Sequence, residues 1–597
     1  MRINRRLWFA IIAMVVLTSI PYLVALFSAP SGTSFSGVIG NWVDFNSHLA
    51  KMQQGYRGEW LYQILFTTEP HSGALLQTYY VALGQVARIT GLSLVVTYHL
   101  ARIICTALMV WAIWGFLRHY LTENQAWWAL LLTLFSGGVG YLLYILAPAM
   151  TAEVSPIEFW LQDGYMWLAS FSFPHFAAGI ALLLLAMLMI ERWAEGKPGS
   201  LLTLLVASLG VGIVQPFGLP LVDIIMLIVI LWRVLRHQPE TKLTLAHAIV
   251  GGALVAIAHG ALLGYDFVFL YKQPVWAEFT VQNVTLSPAP IYYLFGYAPL
   301  LIPALLTIIR LIINKLRLST ITRRKSEVIV PMTAARPPGS DFALIINKSR
   351  HTPNPVDRTP NEVALAPQGS TEFARNDRLK LWDRWLLPIL WIVFVAVLLY
   401  APLNTQRRYT LGIQAPLAAL TVFWFVEVGI PALRRRFRRR TNHILIIYGA
   451  ISTLSTLLVL LLQLHVTADT HDRTVYYTDD MFAAWQWVRD NTYPYDTVLG
   501  SFQSGGQLVA QTGRRTVLGH WIETVDYLHK REEVSQFFDP QVPDSWRWKF
   551  MSQQGVSYLW YGEEERRLGT WSPSSIRLLN PVYENSSITI YRVDWAR

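Results

Sequence analysis

The sequence predicts a polytopic α-helical membrane protein of about eleven transmembrane helices with a small external α/β domain at its C-terminal end. Three observations predict it. Apolar residues make up 53% of the 597-residue chain and charged residues only 15%, with a mean hydropathy of +0.34, whereas a soluble domain carries about 25% charged residues. The apolar residues gather in runs of roughly twenty. Such runs are long enough to cross a hydrocarbon core of about 30 Å as helices, whose backbone groups are satisfied internally. Residues 467–597 break this pattern and alternate helical with strand signals.

A net charge of +11 invites a nucleic-acid reading. The basic residues instead cluster at the ends of the apolar runs, as the positive-inside rule requires, so no nucleic-acid partner is expected. The one cysteine, Cys105, lies within an apolar run, which excludes a disulfide framework and a cysteine metal site.

The first span is placed at 7–28. Arg2, Arg5 and Arg6 precede it and make the N-terminus cytoplasmic, and no small-residue cleavage site follows, so it reads as an anchor. The loop 29–93 is then external. Within it, 74–91 is apolar but short and carries Gln77, Gln85 and Arg88, which predicts a helix lying in the interface rather than a span. Spans at 94–117 and 125–147 are joined by the cytoplasmic turn Arg118-His119-Tyr120, and a second external loop covers 148–172. Further spans follow at 173–192, 199–215, 217–235, 243–264, 289–313, 383–401, 410–431 and 443–466. This assignment puts Arg192/Lys197, Arg233/Arg236, the cluster from Lys315 to Lys325 and the arginine run at 434–440 all on the cytoplasmic side, and a spanning 74–91 would invert them. That run reads as a topology anchor facing anionic membrane lipids.

The expected organisation is an N-terminal transmembrane module 1–315, a cytoplasmic insertion 316–381, transmembrane helices 382–466 and an external domain 467–597. The insertion is rich in Pro, Thr, Asn and Arg without periodicity, and reads as largely disordered. In the tail, Thr478 or Asp479 caps a helix carrying Phe482, Trp485 and Val488. A strand at 497–501, a helix opened by Gly505-Gly506, and strands at 515–519, 557–561 and 588–593 complete an α/β pattern.

Ionisable residues at membrane level are costly and mark function. Asp44 lies soon after the first span in Asn41-Trp42-Val43-Asp44-Phe45-Asn46-Ser47-His48, an aromatic segment suited to packing at the membrane face, and is the candidate general base. The second loop adds Glu158, read as a metal ligand or acceptor anchor, and less prominently Asp163. His175 begins the span after it, a phosphate or sugar contact or a plain packing residue, with His48 and His71 open to the same two readings. An Asp/Glu/His set suits Mg²⁺ or Mn²⁺, although no spacing forces a metal and its ligands stay unknown. Arg407-Arg408 fills a short external turn against the charge rule, which suits a phosphodiester or pyrophosphate, headgroup snorkelling being the plainer account. Neither a Walker-type loop nor a Gly-x-Ser-x-Gly elbow is present.

These residues resemble the GT-C superfamily of membrane glycosyltransferases, the polyprenyl-phosphate-sugar users that include protein O-mannosyltransferases, aminoarabinose transferases and oligosaccharyltransferase catalytic subunits. The stretches that resemble bacterial members are Asp44 through Gly58-Glu59-Trp60-Leu61 and Thr67-Thr68-Glu69-Pro70-His71, then Phe173-Pro174-His175-Phe176, then Gln406-Arg407-Arg408-Tyr409 with Gln414-Ala415-Pro416-Leu417. In the tail they are 485–491 and Gly513-Arg514-Arg515. The resemblance implies a bacterial plasma-membrane enzyme that transfers a hexosyl or pentosyl unit from a polyprenyl phosphate to a lipid, glycan or protein acceptor. Asp44 would be the base and Glu158 an assisting acid. His48, His175, Arg407 and Arg408 are expected to contact substrate. The Asp-Glu pair of mannosyltransferases is absent, since Phe45 follows Asp44. The Trp-Trp-Asp signature is absent too, since Ala129 follows Trp127-Trp128. A lipid-carrier flippase or transporter and a non-catalytic membrane scaffold are the alternatives.

Overall fold

The computed structural model describes residues 4–235, 243–328 and 368–595. The chain forms two units, one of Met1–Ala304 with Leu387–Arg597 and one of Leu305–Leu386. In the smaller unit the Lys315 ammonium lies 4.3 Å from the Trp382 ring centre.

Ten helices among the described residues are long and apolar enough to cross a membrane. They are Arg5–Phe27, Leu94–Tyr120, Glu123–Leu146, Pro174–Ala194, Gly218–Leu235, Leu245–Lys272, Pro290–Leu316, Leu381–Leu398, Gln414–Phe437 and Thr441–Val466. The eleventh expected span is the helix Ser200–Val214, apolar but of 15 residues. Outward-facing Val16, Ile104, Ile257 and Leu461 are exposed, the surface a bilayer covers. Starts are capped locally: Asn4 accepts from the Arg6 and Leu7 amides, Ser93 from Val96 and Thr244 from His247.

Two sets of polar groups inside the spans pair with one another. Arg233 donates to Glu191 at 2.6 Å. His259 bridges Asp223 and Ser208, each at 2.7 Å. That Ser–His–Asp order is the order of a hydrolytic relay, but Ser208 is 0% and His259 1% exposed. The chain of hydrogen bonds therefore ties Ser200–Val214, Gly218–Leu235 and Leu245–Lys272 together, as buried polar groups in helix bundles do.

Two expectations about this part of the chain need correction. The span at 125–147 is interrupted: its helix stops at Phe135, and short helical pieces resume at Gly140. Gly137 and Gly138 allow the break, because a Cβ there would strike Thr456 and the Gly296 backbone. Neighbouring spans satisfy the freed groups: Thr456 donates to Phe135 O, Gln414 to Ser136 O, and the Gly137 amide to Ser452 O. The insertion 316–381 falls mostly outside the described residues. Its two ends are helical, not irregular, since Pro290–Val328 runs into it and Gln368–Leu398 out of it. The segment after Ala304 has no Pro or Gly before Val328 to stop the helix.

The first loop is folded. Its short apolar segment forms Thr78–Thr90, 13 residues and too short to span, as expected for 74–91. An unforeseen helix, Trp42–Tyr56, packs on it. Gly55 and Gly84 let the two backbones meet, since a Cβ on either would strike the partner's carbonyl.

The first loop contributes the strand β1 (Thr33–Phe35), and the tail domain has β2 (Tyr476–Thr478), β3 (Thr497–Leu499), β4 (Arg515–Thr516), β5 (Val556–Tyr561), β6 (Leu579–Glu584) and β7 (Thr589–Val593). β1 pairs antiparallel with β2, tying the first loop to the domain. The other five form a mixed sheet in the order β4-β3-β5-β7-β6, parallel around β3 and antiparallel around β7. β6 lies outside the expected strands, and as an edge strand it tolerates the donor missing at Pro581. Thr478 caps Asp479–Asn491 as expected, accepting from Met481. The next helix starts at Phe502, capped by Ser501, so Gly505-Gly506 lie inside it rather than opening it. The expected strand at 515–519 shortens to β4 because the Thr516 amide donates to Leu65 O of the first loop, and the chain turns toward it. Trp485, Leu508, Trp560 and Ile590 form one core of the domain, and Leu559, Phe537, Phe550 and Trp571 another.

Candidate functional site

A cavity of about 1160 Å³ opens where the first loop, the second loop, the mouth of Pro174–Ala194, the turn 402–409 and residues 520–523 of the tail converge. Asp44 reaches it from the first turn of Trp42–Tyr56, where the positive end of the helix dipole favours a carboxylate. Packing of Trp42 on Phe502 and of Phe45 on Tyr98 fixes that turn. Asn41, in the left-handed region at φ 43°, donates to Asp44 Oδ2 at 2.8 Å. His520 Nε2 lies 3.3 Å from Oδ1. Burial works to raise the Asp44 carboxyl, but the hydrogen bonds from His520 and Asn41 and the charge of Arg408 outweigh it and hold it below its usual range.

The arginine pair of the 406–410 turn lines the same cavity. Arg407 lies 4.9 Å from the Trp160 ring centre, and its amide donates to Thr285 O. Arg408 sits between the rings of Phe176 and Phe217 at 6.0 and 5.9 Å. Its Nη1 is 3.4 Å from Asp163 Oδ2, a long contact, and among the described residues its Nε and Asp163 Oδ1 have no hydrogen-bond partner. Burial raises the Asp163 carboxyl, and the two arginines only partly counter it. The Arg408 charge is therefore only loosely matched by its carboxylate neighbour.

His48 and His175 also line the cavity. The His48 ring stacks on Tyr80 at 3.9 Å and its Nδ1 lacks a partner among the described residues, while Tyr80 OH bonds His175 Nδ1 at 2.6 Å. Burial first, then the charge of Lys51, holds His48 well below its usual range, so it is a neutral ring. His71 is occupied away from the cavity: it accepts from the Ile64 amide and bonds Glu69 O.

Glu158 is not at this site, which corrects the sequence reading. The turn Ile157–Phe159 tucks the side chain under the break in Glu123–Leu146, where Ser455 donates to it at 3.3 Å and it is 2% exposed. Burial pushes its carboxyl up to about 7, against the hydrogen bonds it accepts. The second-loop acid that reaches the cavity is Asp163. A native group that holds its proton more tightly than the unfolded chain stabilises the fold at low pH and loses that contribution as pH rises toward 7. Glu158→Gln is therefore expected to remove roughly 3 kcal/mol of stability loss between pH 5 and 8 and to leave catalysis alone, as denaturant unfolding at both pH values will show.

The sequence reading also missed a buried cluster. Lys51 Nζ is 2.7 Å from Glu523 Oε1 and 2.5 Å from Ser47 Oγ, and Tyr62 OH donates to Glu523. Lys51 and Glu523 are 3% and 2% exposed. Asp44, His48 and Lys51 stand at i, i+4 and i+7, one helical face, and that spacing was the available signal. Nothing in the local sequence of His520 or Glu523 shows that either meets this face. Among the described residues no three His, Cys, Asp or Glu side chains gather as a metal site requires. The set expected for Mg²⁺ or Mn²⁺ is not assembled, because Glu158 is turned away and Asp163 holds Arg408.

No family model and no curated protein matches the chain. Several solved structures are similar. The apo oligosaccharyltransferase of Archaeoglobus fulgidus is 12% identical with a TM-score of 0.46, over 94% of this chain and 70% of that one. ArnT from Cupriavidus metallidurans bound to undecaprenyl phosphate is 9% identical with a TM-score of 0.44, over 97% of both chains. The mycobacterial arabinofuranosyltransferase AftD is 13% identical with a TM-score of 0.42, over 99% of this chain and 40% of that one.

Proposed function

We propose that the protein is a membrane glycosyltransferase that moves a sugar from a polyprenyl-phosphate donor to an acceptor hydroxyl or amide at the external membrane face. The observation that carries this reading is the juxtaposition, in one cavity, of the charged Asp44 carboxylate with an arginine pair that a single long contact to Asp163 leaves under-neutralised. A donor needs both at once. Asp44 takes the acceptor proton as the acceptor atom bonds the anomeric carbon. The bond from that carbon to the phosphate oxygen breaks, its electron pair stays on the phosphate, and Arg407 and Arg408 stabilise the added charge. A single displacement of this kind inverts the anomeric centre.

The arginine role is tested by binding of an undecaprenyl-phosphate analogue to purified protein. Charge-assisted hydrogen bonds contribute about 1.5–3 kcal/mol each, so Arg407→Ala/Arg408→Ala is expected to weaken binding at least tenfold. Arg408→Lys should weaken it less, because a point charge replaces a planar fork. Unchanged affinity of the double variant would reduce the pair to headgroup anchors. The reaction itself is tested by incubation with a panel of polyprenyl-phosphate sugars, reading out release of the free carrier. A flippase or a scaffold would leave the sugar attached to its carrier.

A further inference from the structure

His520 belongs to the tail domain, 476 residues from Asp44 in sequence, yet it is 3% exposed and aimed at that carboxylate. Its protonation pattern follows from its partners. Nδ1 lies 3.1 Å from the backbone amides of both Ile522 and Glu523, which donate to it. A nitrogen that accepts two N–H bonds carries no proton, so in the neutral ring the proton is on Nε2, the atom facing Asp44 Oδ1. Adding a second proton at Nδ1 would break both backbone bonds. His520 is thus built as a fixed donor with one target.

The placement of the ring is equally determined. The Thr524 hydroxyl donates to Phe66 O, the Val525 amide to Thr67 Oγ1, and Gln282 to the carbonyls of Ile522 and Thr524. The 520–525 turn is therefore pinned to the first loop and to the helix Pro274–Gln282. Glu523 adds its buried pair with Lys51, two turns along the helix that carries Asp44.

We propose that His520 is the positioning residue of the catalytic carboxylate, a neutral N–H donor that fixes Asp44 Oδ1 while Asn41 fixes Oδ2, so that the tail domain completes the active site. Its part in transfer rests on the glycosyltransferase reading; its pairing with Asp44 does not. With both oxygens held, the remaining lone pairs of the carboxylate face the cavity. The other ionisable groups within electrostatic reach of Asp44 are Arg408, Arg407, His175, Tyr80 and Tyr98. Those facing His520 are Asp44, Glu523 and His48.

The test uses two variants of the full-length protein. His520→Asn keeps an acceptor oxygen near the place of Nδ1, so the turn keeps its backbone bonds, but it cannot reach Asp44. His520→Gln brings an amide nitrogen toward the place of Nε2. Labelling of Asp44 by a carbodiimide, which activates the protonated carboxyl, is followed by mass spectrometry against pH and needs no turnover. The pH of half-maximal labelling should rise by about one unit in the Asn variant and less in the Gln variant. The acid limb of kcat/KM should move up in the same order, with partial recovery of rate by Gln. If both variants label as the wild type does, the pairing is overturned. If labelling shifts as expected but the wild type releases no carrier from any donor, the pairing stands and the glycosyltransferase reading falls.

Discussion

Asp44→Asn should lower transfer by about 10²–10⁴-fold, the usual loss on removing a general base, while binding of the carrier phosphate and the yield of folded protein stay close to wild type. The substitution is nearly isosteric. The asparagine oxygen still accepts from His520, and the Asn41 amide can turn to present its oxygen to the new N–H, so neither hydrogen bond of the turn need be lost. What disappears is the negative charge and the basic lone pair directed at the cavity. Because His520, Asn41 and Arg408 hold the carboxyl low, wild-type activity should show no acid limb in the neutral range. Turnover in the purified Asn variant within a few-fold of wild type would remove Asp44 from the chemistry, and Asp163 would become the acid to test.

Lys51→Met should be the most destabilising single change at this site. The variant keeps the length of the side chain and strands Glu523 in a site where it is 2% exposed, and removing one partner of a buried pair costs about 3–5 kcal/mol. Lys51→Met/Glu523→Gln should recover much of that loss, since both charges are then gone. The pH dependence has a defined sign. Burial works to raise Glu523, but Lys51 foremost pulls it down to about 2. A lowered folded-state carboxyl contributes stability above its unfolded value, and that contribution is lost as pH falls toward about 2. The gap between wild type and Lys51→Met should therefore narrow in acid. Denaturant unfolding followed by tryptophan fluorescence measures both effects; equal stability of the two proteins at neutral pH would show that the pair contributes nothing net.

Much of this molecule was legible in one dimension. Runs of about twenty apolar residues admit only helices in lipid, and Arg407-Arg408 stood out because two cations in a short turn oppose the surrounding pattern. Asp44 stood out among aromatic neighbours. The helix beneath it did not, because Trp42–Tyr56 mixes polar and apolar residues and its face pattern is visible only once a helix is assumed. Glu158 and Asp163 illustrate the limit most sharply. They lie five residues apart in one loop, and the sequence reading that puts Glu158 ahead of Asp163 has nothing to show which of the two the fold turns toward the cavity.

The sequence by itself determined the class of the protein, the near-complete set of its spans, the α/β character of its tail and the candidate carboxylate and arginines, because each follows from composition or from spacing within one element. Only the tertiary structure decided which acid of the second loop reaches the cavity, that Gly137-Gly138 breaks a span, and that His520 and Glu523 join Asp44 and Lys51. These depend on contacts between segments hundreds of residues apart. Such contacts are set by where backbones can approach and which buried polar groups must find partners, and neither condition leaves a periodic trace in the chain.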